Sequence, residues 1–284
     1  MPVNNVASDA VGPGRLVGEL VTERPTRARL FERLHIDYCC GGQHTLAEAC
    51  SQAGLQIETV QAALQTLDEA DARPGDADES IDWRSVGTAQ LCEHIVSIHH
   101  DYLRATFPKI DSLISTVVRV HGAQDSTLAD AQRVFEAIRS GLEPHLASEE
   151  TELFPAIIAA EQGGPSVHED VLAGHEYEHN TVGTALVELR SLCRDYDHRY
   201  ARCNTHLALL DALEALEQNI HQHVHEENNV LFRRARHAQP PATDASAADQ
   251  GEHAAAIDHG QPLPACCQGW VDEQGERWAR TRHR

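Results

Sequence analysis

A histidine and a glutamate four residues apart occur twice in this chain, each time followed by a Leu-Phe pair. The first copy runs His145-Leu-Ala-Ser-Glu149 and continues to Leu153-Phe154; the second runs His223-Val-His-Glu-Glu227 and continues to Leu231-Phe232. On an α-helix this spacing puts both side chains on one face, one turn apart. A single copy is most often an amphipathic helix with solvated charges. The duplication, with its matching Leu-Phe anchor, makes that reading the weaker one.

Each copy has an upstream complement. His100 lies 45 residues before His145, and His179 lies 44 residues before His223. The helical pattern breaks near Gly122 to Ser126, Gly163 to Ser166 and Asp195 to Asn204, which leaves helices over roughly 88–121, 127–161, 167–194 and 205–236. Counted from Ala123, His100 is 23 residues back and His145 is 22 forward, so the two share one level of an antiparallel hairpin. The second hairpin behaves alike around Tyr200. Four histidines and two carboxylates therefore converge inside an all-α, up-down four-helix bundle, with Pro108 expected to kink its first helix.

The rest of the chain divides around that bundle: 1–14 as a disordered lead, 15–72 as a small helical domain containing cysteines, 73–86 as an acidic linker, 87–236 as the bundle, and 237–284 as a disordered tail carrying Cys266-Cys267. In the small domain Thr22 suits a helix cap, Pro25 a first turn, and Thr45-Leu-Ala-Glu48 has capping-box spacing. A net charge of −21 argues against nucleic acid or an anionic membrane as partner. No signal peptide and no apolar stretch near ~20 residues is found, so the expected compartment is the cytoplasm. There the eight cysteines read as thiols, metal ligands or redox groups rather than a disulfide framework.

Imidazoles with carboxylates suit iron, manganese or zinc better than calcium or magnesium. Two carboxylates, one from each hairpin, can bridge two metals, with two histidines left for each. Six such groups buried without a metal would be costly. The Glu-x-x-His order of ferritin-like sites is reversed here, which excludes that subclass. His121 falls some ~31 Å along the helix from His100 and belongs at the bundle end. His175, one turn from His179, is a candidate extra ligand, and Glu150, Glu176 and Glu178 are candidates to orient the ligand histidines. His99, His221 and His225 point away from the ligand face and read as surface groups. Cys92, Cys193 and Cys203 read as small apolar residues. Cys39-Cys40, followed by Gly41-Gly42 and a helix start, could present thiolates to a positive helix end; the alternative is one buried and one exposed thiol with no role.

Asp37-Tyr-Cys-Cys-Gly-Gly42, followed by paired His-x-x-x-Glu helices with Glu-Glu-x-x-Leu-Phe-Pro and Glu-Asn-Asn-Val-Leu-Phe, resembles the repair-of-iron-centres proteins over residues 15 to 236. The resemblance implies a hemerythrin-like bundle with two non-haem, carboxylate-bridged iron ions held by His100, His145, Glu149, His179, His223 and Glu227. It also implies a functional Cys39-Cys40 pair, a transient iron or thiol-exchange site. The implied activity is repair of iron–sulfur clusters damaged by nitric oxide or oxidative stress, through supplied iron, with damaged iron–sulfur proteins as partners. Reduction of nitric oxide at the two irons has also been proposed for this family. The alternative function is binding, sensing or reducing oxygen or nitric oxide, and a zinc-stapled bundle is a third reading. Oxygen-carrying hemerythrins place a second histidine one turn after the third-helix ligand; here that position is Gly183, an emptier coordination sphere. The sequence does not fix the oligomer, a homodimer being one option.

Overall fold

The computed structural model describes residues 10–71, 83 and 85–238. The Cys266-Cys267 tail, residues 1–9 of the lead and most of the acidic linker lie outside the described residues. Among the described residues there is no β-strand, only an isolated bridge between Leu16 and Thr45.

The amino-terminal elements are short. Helix α1 (Val17–Glu23) leads into a 3-10 turn opened by Pro25, then α2 (Ala28–Leu34), α3 (Leu46–Gln52) and α4 (Ile57–Asp71). Thr22, expected as a cap, lies inside α1, where its hydroxyl donates to the Gly18 carbonyl at 2.9 Å. The capping box on α3 forms as its spacing predicts: the Glu48 amide donates to Thr45 Oγ1 at 3.2 Å, and the Thr45 amide donates to Glu48 Oε2 at 2.8 Å. Arg27 is buried yet fully engaged. Its guanidinium makes a bidentate pair with Asp68 at 3.0 and 2.6 Å and donates to the Leu20 carbonyl at 3.0 Å, which ties α1, α2 and α4 together.

The long helices follow the expected breaks: α5 (Thr88–His94) continuing into α6 (Asp101–His121), α7 (Thr127–Ser148) into α8 (Phe154–Glu161), then α9 (Glu169–Leu192), and α10 (Asn204–Glu226) into α11 (Phe232–His237). Three of the four are interrupted by a π-helical turn, at Ile95–His100, Glu149–Leu153 and Glu227–Leu231. The first ends on an expected ligand, and the other two begin on one. Wide turns of this kind gather at functional sites because they redirect side chains within an otherwise continuous helix. Pro108 is carried inside α6; the change in backbone hydrogen bonding comes earlier, at Ile95–His100.

Buried residues recur every three or four positions along each helix. Leu103, Phe107, Ile110, Ile114 and Val117 form the stripe of α6, and Phe135, Ile138 and Leu142 that of α7. His145 and Glu149 prolong the second stripe in step. On α10, Leu213, Leu216 and Ile220 run on into His223 and Glu227 in the same rhythm. The polar groups thus occupy core positions, not solvent-facing ones.

The chain divides into two compact units. One holds the described residues up to Tyr102 with His175–Gly183 and Glu214–Arg234; the other holds Leu103–Gly174, Thr184–Leu213 and the described residues from Ala235 on. The first unit therefore joins the cysteine-bearing segment to the helix portions that carry His100, His179, His223 and Glu227.

Candidate metal centre

In the first unit, four of the six expected ligands meet, all buried to within 1% of full enclosure. His100 Nε2 is 3.1 Å from His223 Nε2, and His223 Nε2 is 3.0 Å from Glu227 Oε1. The other carboxylate oxygen, Glu227 Oε2, is 3.1 Å from His179 Nε2. One carboxylate thus presents one oxygen to each of two imidazole groups. Donors sharing one ion at about 2.1 Å and at right angles stand about 3.0 Å apart, so these residues would fit a metal as well as they fit hydrogen bonds.

The tautomer of His179 is set by its neighbour. Asn228 Oδ1 lies 2.8 Å from His179 Nδ1; a proton on Nδ1 satisfies that oxygen and would leave Nε2 as the atom offered to a metal. Phe232, the second residue of the Leu-Phe anchor, stacks on the same ring with centroids 5.9 Å apart and planes at 10°. His175 lies against the edge of Phe232. In the second unit, His145 Nε2 is 3.0 Å from Glu149 Oε1, and both residues are buried. Glu150, a candidate to orient a ligand, instead pairs with Arg104 at 2.8 Å. His121 sits where the rise of α6 puts it, 3.2 Å from Cys203 Sγ and beside His206.

The cysteine pair belongs to the first unit. Cys39 is buried and its thiol is placed to donate to Cys40 Sγ at 3.9 Å or to Asp37 Oδ1 at 3.4 Å, and Asp37 Oδ1 also accepts from the Cys39 amide at 3.1 Å. That thiol–thiol bond, then burial, raises Cys39 well above the ordinary thiol range. Accepting the same bond holds Cys40 below its ordinary value, against burial and the Asp37 carboxylate, which push it up. The two thiols are therefore unequal, Cys40 being the more acidic. The cause differs from the helix end expected from sequence: Thr45, not the cysteines, caps α3. Cys40 Sγ lies 3.5 Å from where a Cβ on Gly183 would be. The position that sequence marks as empty, one turn beyond His179, is faced by a thiol.

Asn229 fastens this arrangement. Its side-chain amide donates to the carbonyls of Tyr38 at 3.3 Å and Cys39 at 2.9 Å. Gly18 and Gly42 press on it so closely that a Cβ on either would come within 2.4 and 2.2 Å of Asn229 Oδ1. Glu227-Asn228-Asn229 thus assigns one residue to the ligand cluster, one to a ligand's tautomer and one to the cysteine loop. Sequence reading quoted this motif without separating those roles.

Three histidines read as surface groups are not. His99 and His225 are buried and His221 is half-buried, paired with Glu32 at 2.9 Å. The reason is that the amino-terminal elements cover the outer face of α10: Thr22 Oγ1 is 3.3 Å from His225 Nε2, and the Tyr38 carbonyl is 3.3 Å from His225 Nδ1. Burial pushes His225 down to about 4. Cys92 and Cys193 are buried as expected, whereas Cys203 is exposed.

Residues 14–68 match the ScdA_N family, described as a domain of unknown function, and residues 93–235 match the hemerythrin HHE cation binding domain. The chain is 30% identical over 220 residues to the iron-sulfur cluster repair protein ScdA of Staphylococcus haemolyticus, covering 77% of this chain and 96% of that protein. It is 31% identical over 219 residues to the iron-sulfur cluster repair protein YtfE of Escherichia coli and to that of Shigella boydii, covering 77% of this chain and 95% of each. The chain belongs to the ScdA/YtfE family. Its fold is all-α, a hemerythrin-like bundle with a small helical unit ahead of it in the sequence. In this ScdA/YtfE-type chain the cation-binding match spans the buried His/Glu clusters, and the ScdA_N match spans Cys39 and Cys40. Among the described residues no helix is long and apolar enough to cross a membrane.

Proposed function

We propose that the protein repairs iron–sulfur clusters damaged by nitric oxide or oxidative stress, in the cytoplasm, by supplying iron. His100, His145, Glu149, His179, His223 and Glu227 would hold two iron ions, with Glu149 and Glu227 as bridging carboxylates. The donor set fits such ions. Buried imidazole and carboxylate atoms face one another at 3.0–3.1 Å, an arrangement whose mutual desolvation a cation offsets. Bound iron would supply both the cargo for cluster rebuilding and affinity for small diatomic ligands.

The observation that carries this reading is the position of Cys40: a thiolate-prone sulfur, in one compact unit with His179, His223 and Glu227, on a loop tethered to the π-turn of Glu227 through Asn229. A carrier of oxygen has no use for that thiol. A repair protein does, because iron moving toward a cluster can pass from imidazole and carboxylate ligands to a thiolate by ligand exchange without any change of oxidation state. Asp37 and Cys39 keep the sulfur in place, Cys39 by donating to it. The damaged iron–sulfur proteins are then the partners, and Cys40 is the group that meets them.

The test is reactivation of a nitric-oxide-damaged iron–sulfur enzyme by the iron-loaded protein. Wild type restores activity, Cys40→Ser retains iron yet restores little, and His223→Ala loses both. Full repair by Cys40→Ser would remove the cysteine from the account, and full repair by His223→Ala would remove the metal centre.

A further inference from the structure

One residue along from two of the ligands lies a second cluster of metal-binding type. His94, His99 and Glu226 each offer a ligand atom, all within 4.8 Å of one another. Nε2 of His94 and Nε2 of His99 stand 3.6 and 3.4 Å from the same oxygen, Glu226 Oε2. Neither contact has the alignment of a good hydrogen bond, and that oxygen and both ring nitrogens of His99 are enclosed without a well-formed partner. Side-chain exposure is 2% for His99, 9% for Glu226 and 22% for His94. A buried carboxylate is expected to have a hydrogen-bonded cation or several donors around it. Here its ion-pair partners among the described residues are two imidazoles.

The geometry points to a third metal site: we propose that His94, His99 and Glu226 bind an exchangeable divalent transition ion, Fe2+ or Zn2+. Donors about 2.1 Å from one ion and at a tetrahedral angle stand about 3.4 Å apart, close to the 3.6 and 3.4 Å that separate the two imidazoles from Glu226 Oε2. Two imidazoles and one carboxylate are a sufficient protein set for either ion, with the remaining positions left to water or an incoming ligand.

The surroundings support a built site. Trp83 packs edge-on against His94 with centroids 4.5 Å apart, and Arg234 donates to the backbone carbonyls of Trp83 and Val86, which fixes that aromatic wall. Glu226 and Trp83 also line a cavity of about 180 Å³ together with Arg29, Gln222 and His225. The cavity therefore reaches the Glu226 side of the cluster. On the other side, His99 stacks on His223, centroids 5.7 Å apart and planes at 15°. The π-turns explain how neighbours in sequence serve two sites: Ile95–His100 contains both His99 and His100, and Glu227–Leu231 starts immediately after Glu226. A site so placed is a staging point for iron between solvent and the di-iron ligands; that role rests on the iron-supply reading, while the site itself does not.

The experiment is a Co2+ titration of the iron-loaded full-length protein, followed by cobalt ligand-field absorption, for wild type, Glu226→Gln and His94→Gln. His94 is the more exposed, so its variant keeps the test valid if Glu226→Gln folds poorly. The expected result is one cobalt site in wild type, weakened about tenfold or more in both variants, with iron content unchanged. Absence of cobalt binding, or binding of equal strength in all three proteins, would overturn the proposal. His223→Ala separates the two readings: if it leaves iron content intact, the di-iron assignment fails, while the response of cobalt binding to Glu226→Gln still decides the third site.

Discussion

The side-chain amide of Asn229 donates to the carbonyl oxygen of Cys39 at 2.9 Å, two residues beyond the buried carboxylate of Glu227. The cysteine loop is thereby fastened to the same π-turn that carries the candidate ligand Glu227. The link is a hydrogen bond and a close-packed amide.

Asn229→Ala removes both donors to the Tyr38 and Cys39 carbonyls. Each buried acceptor left unpaired costs about 1–3 kcal/mol, and the loop over residues 37–42 loses its anchor. We expect faster amide hydrogen exchange in that loop and lowered repair, with iron content kept near wild type. Unchanged exchange would show that the loop is held by other contacts.

Gly42→Ala places a Cβ whose three nearest neighbours are all atoms of the Asn229 side chain, the nearest at 2.2 Å. The substitution should lower the melting temperature, and adding Asn229→Ala should recover part of the loss. A double-mutant cycle on Gly42 and Asn229 checks this; strictly additive effects would deny the contact its energetic role.

Asn228→Ala leaves His179 Nδ1 without the acceptor that fixes its tautomer. Losing such a supporting hydrogen bond typically lowers metal affinity 10–100-fold. Asn228→Asp, which keeps an acceptor, should recover most of that affinity. Equilibrium iron or cobalt binding measures both variants, and wild-type affinity in Asn228→Ala would contradict the orienting role.

Cys40 is depressed and Cys39 raised by the bond between them. The thiolate of Cys40 therefore persists to a lower pH than that of an ordinary thiol. Its alkylation rate should fall only as pH drops through that depressed value, and Cys39 should react only well above the ordinary thiol range. Replacing Cys39 by Ala removes the donor and should move the Cys40 profile up. Mass-spectrometric alkylation against pH reads both; identical profiles for the two cysteines would refute the asymmetry.

Much of this was legible in the sequence, and the parts that were not have physical reasons. The burial of the candidate ligands could be read because His145 and Glu149, like His223 and Glu227, keep the three-and-four rhythm of the buried Leu and Ile stripes. The turns near 122–126, 163–166 and 195–204 and the Thr45–Glu48 box are local chemistry, so sequence shows them directly. The π-turns are not local in that sense: they depend on which carbonyl each amide chooses, and Ile95–His100 bears no residue that dictates the choice. His99 and His225 look solvent-facing on any helical projection. His225 is buried because α1 and the Tyr38–Cys39 segment cover α10, and His99 because it packs against His94, His223 and Glu226, neither of which the spacing along one helix encodes. Asn228 and Asn229 were visible letters whose separate tasks appear only once the turn has aimed them.

The most direct test of the central claim is metal analysis of the aerobically purified protein with its near-ultraviolet and visible spectrum, for wild type and Glu227→Ala. The account predicts about two irons per chain in wild type, with the absorption of a carboxylate-bridged ferric pair, and sharp loss of both iron and absorption in the variant. Zinc in place of iron, or equal iron in the two proteins, would contradict it.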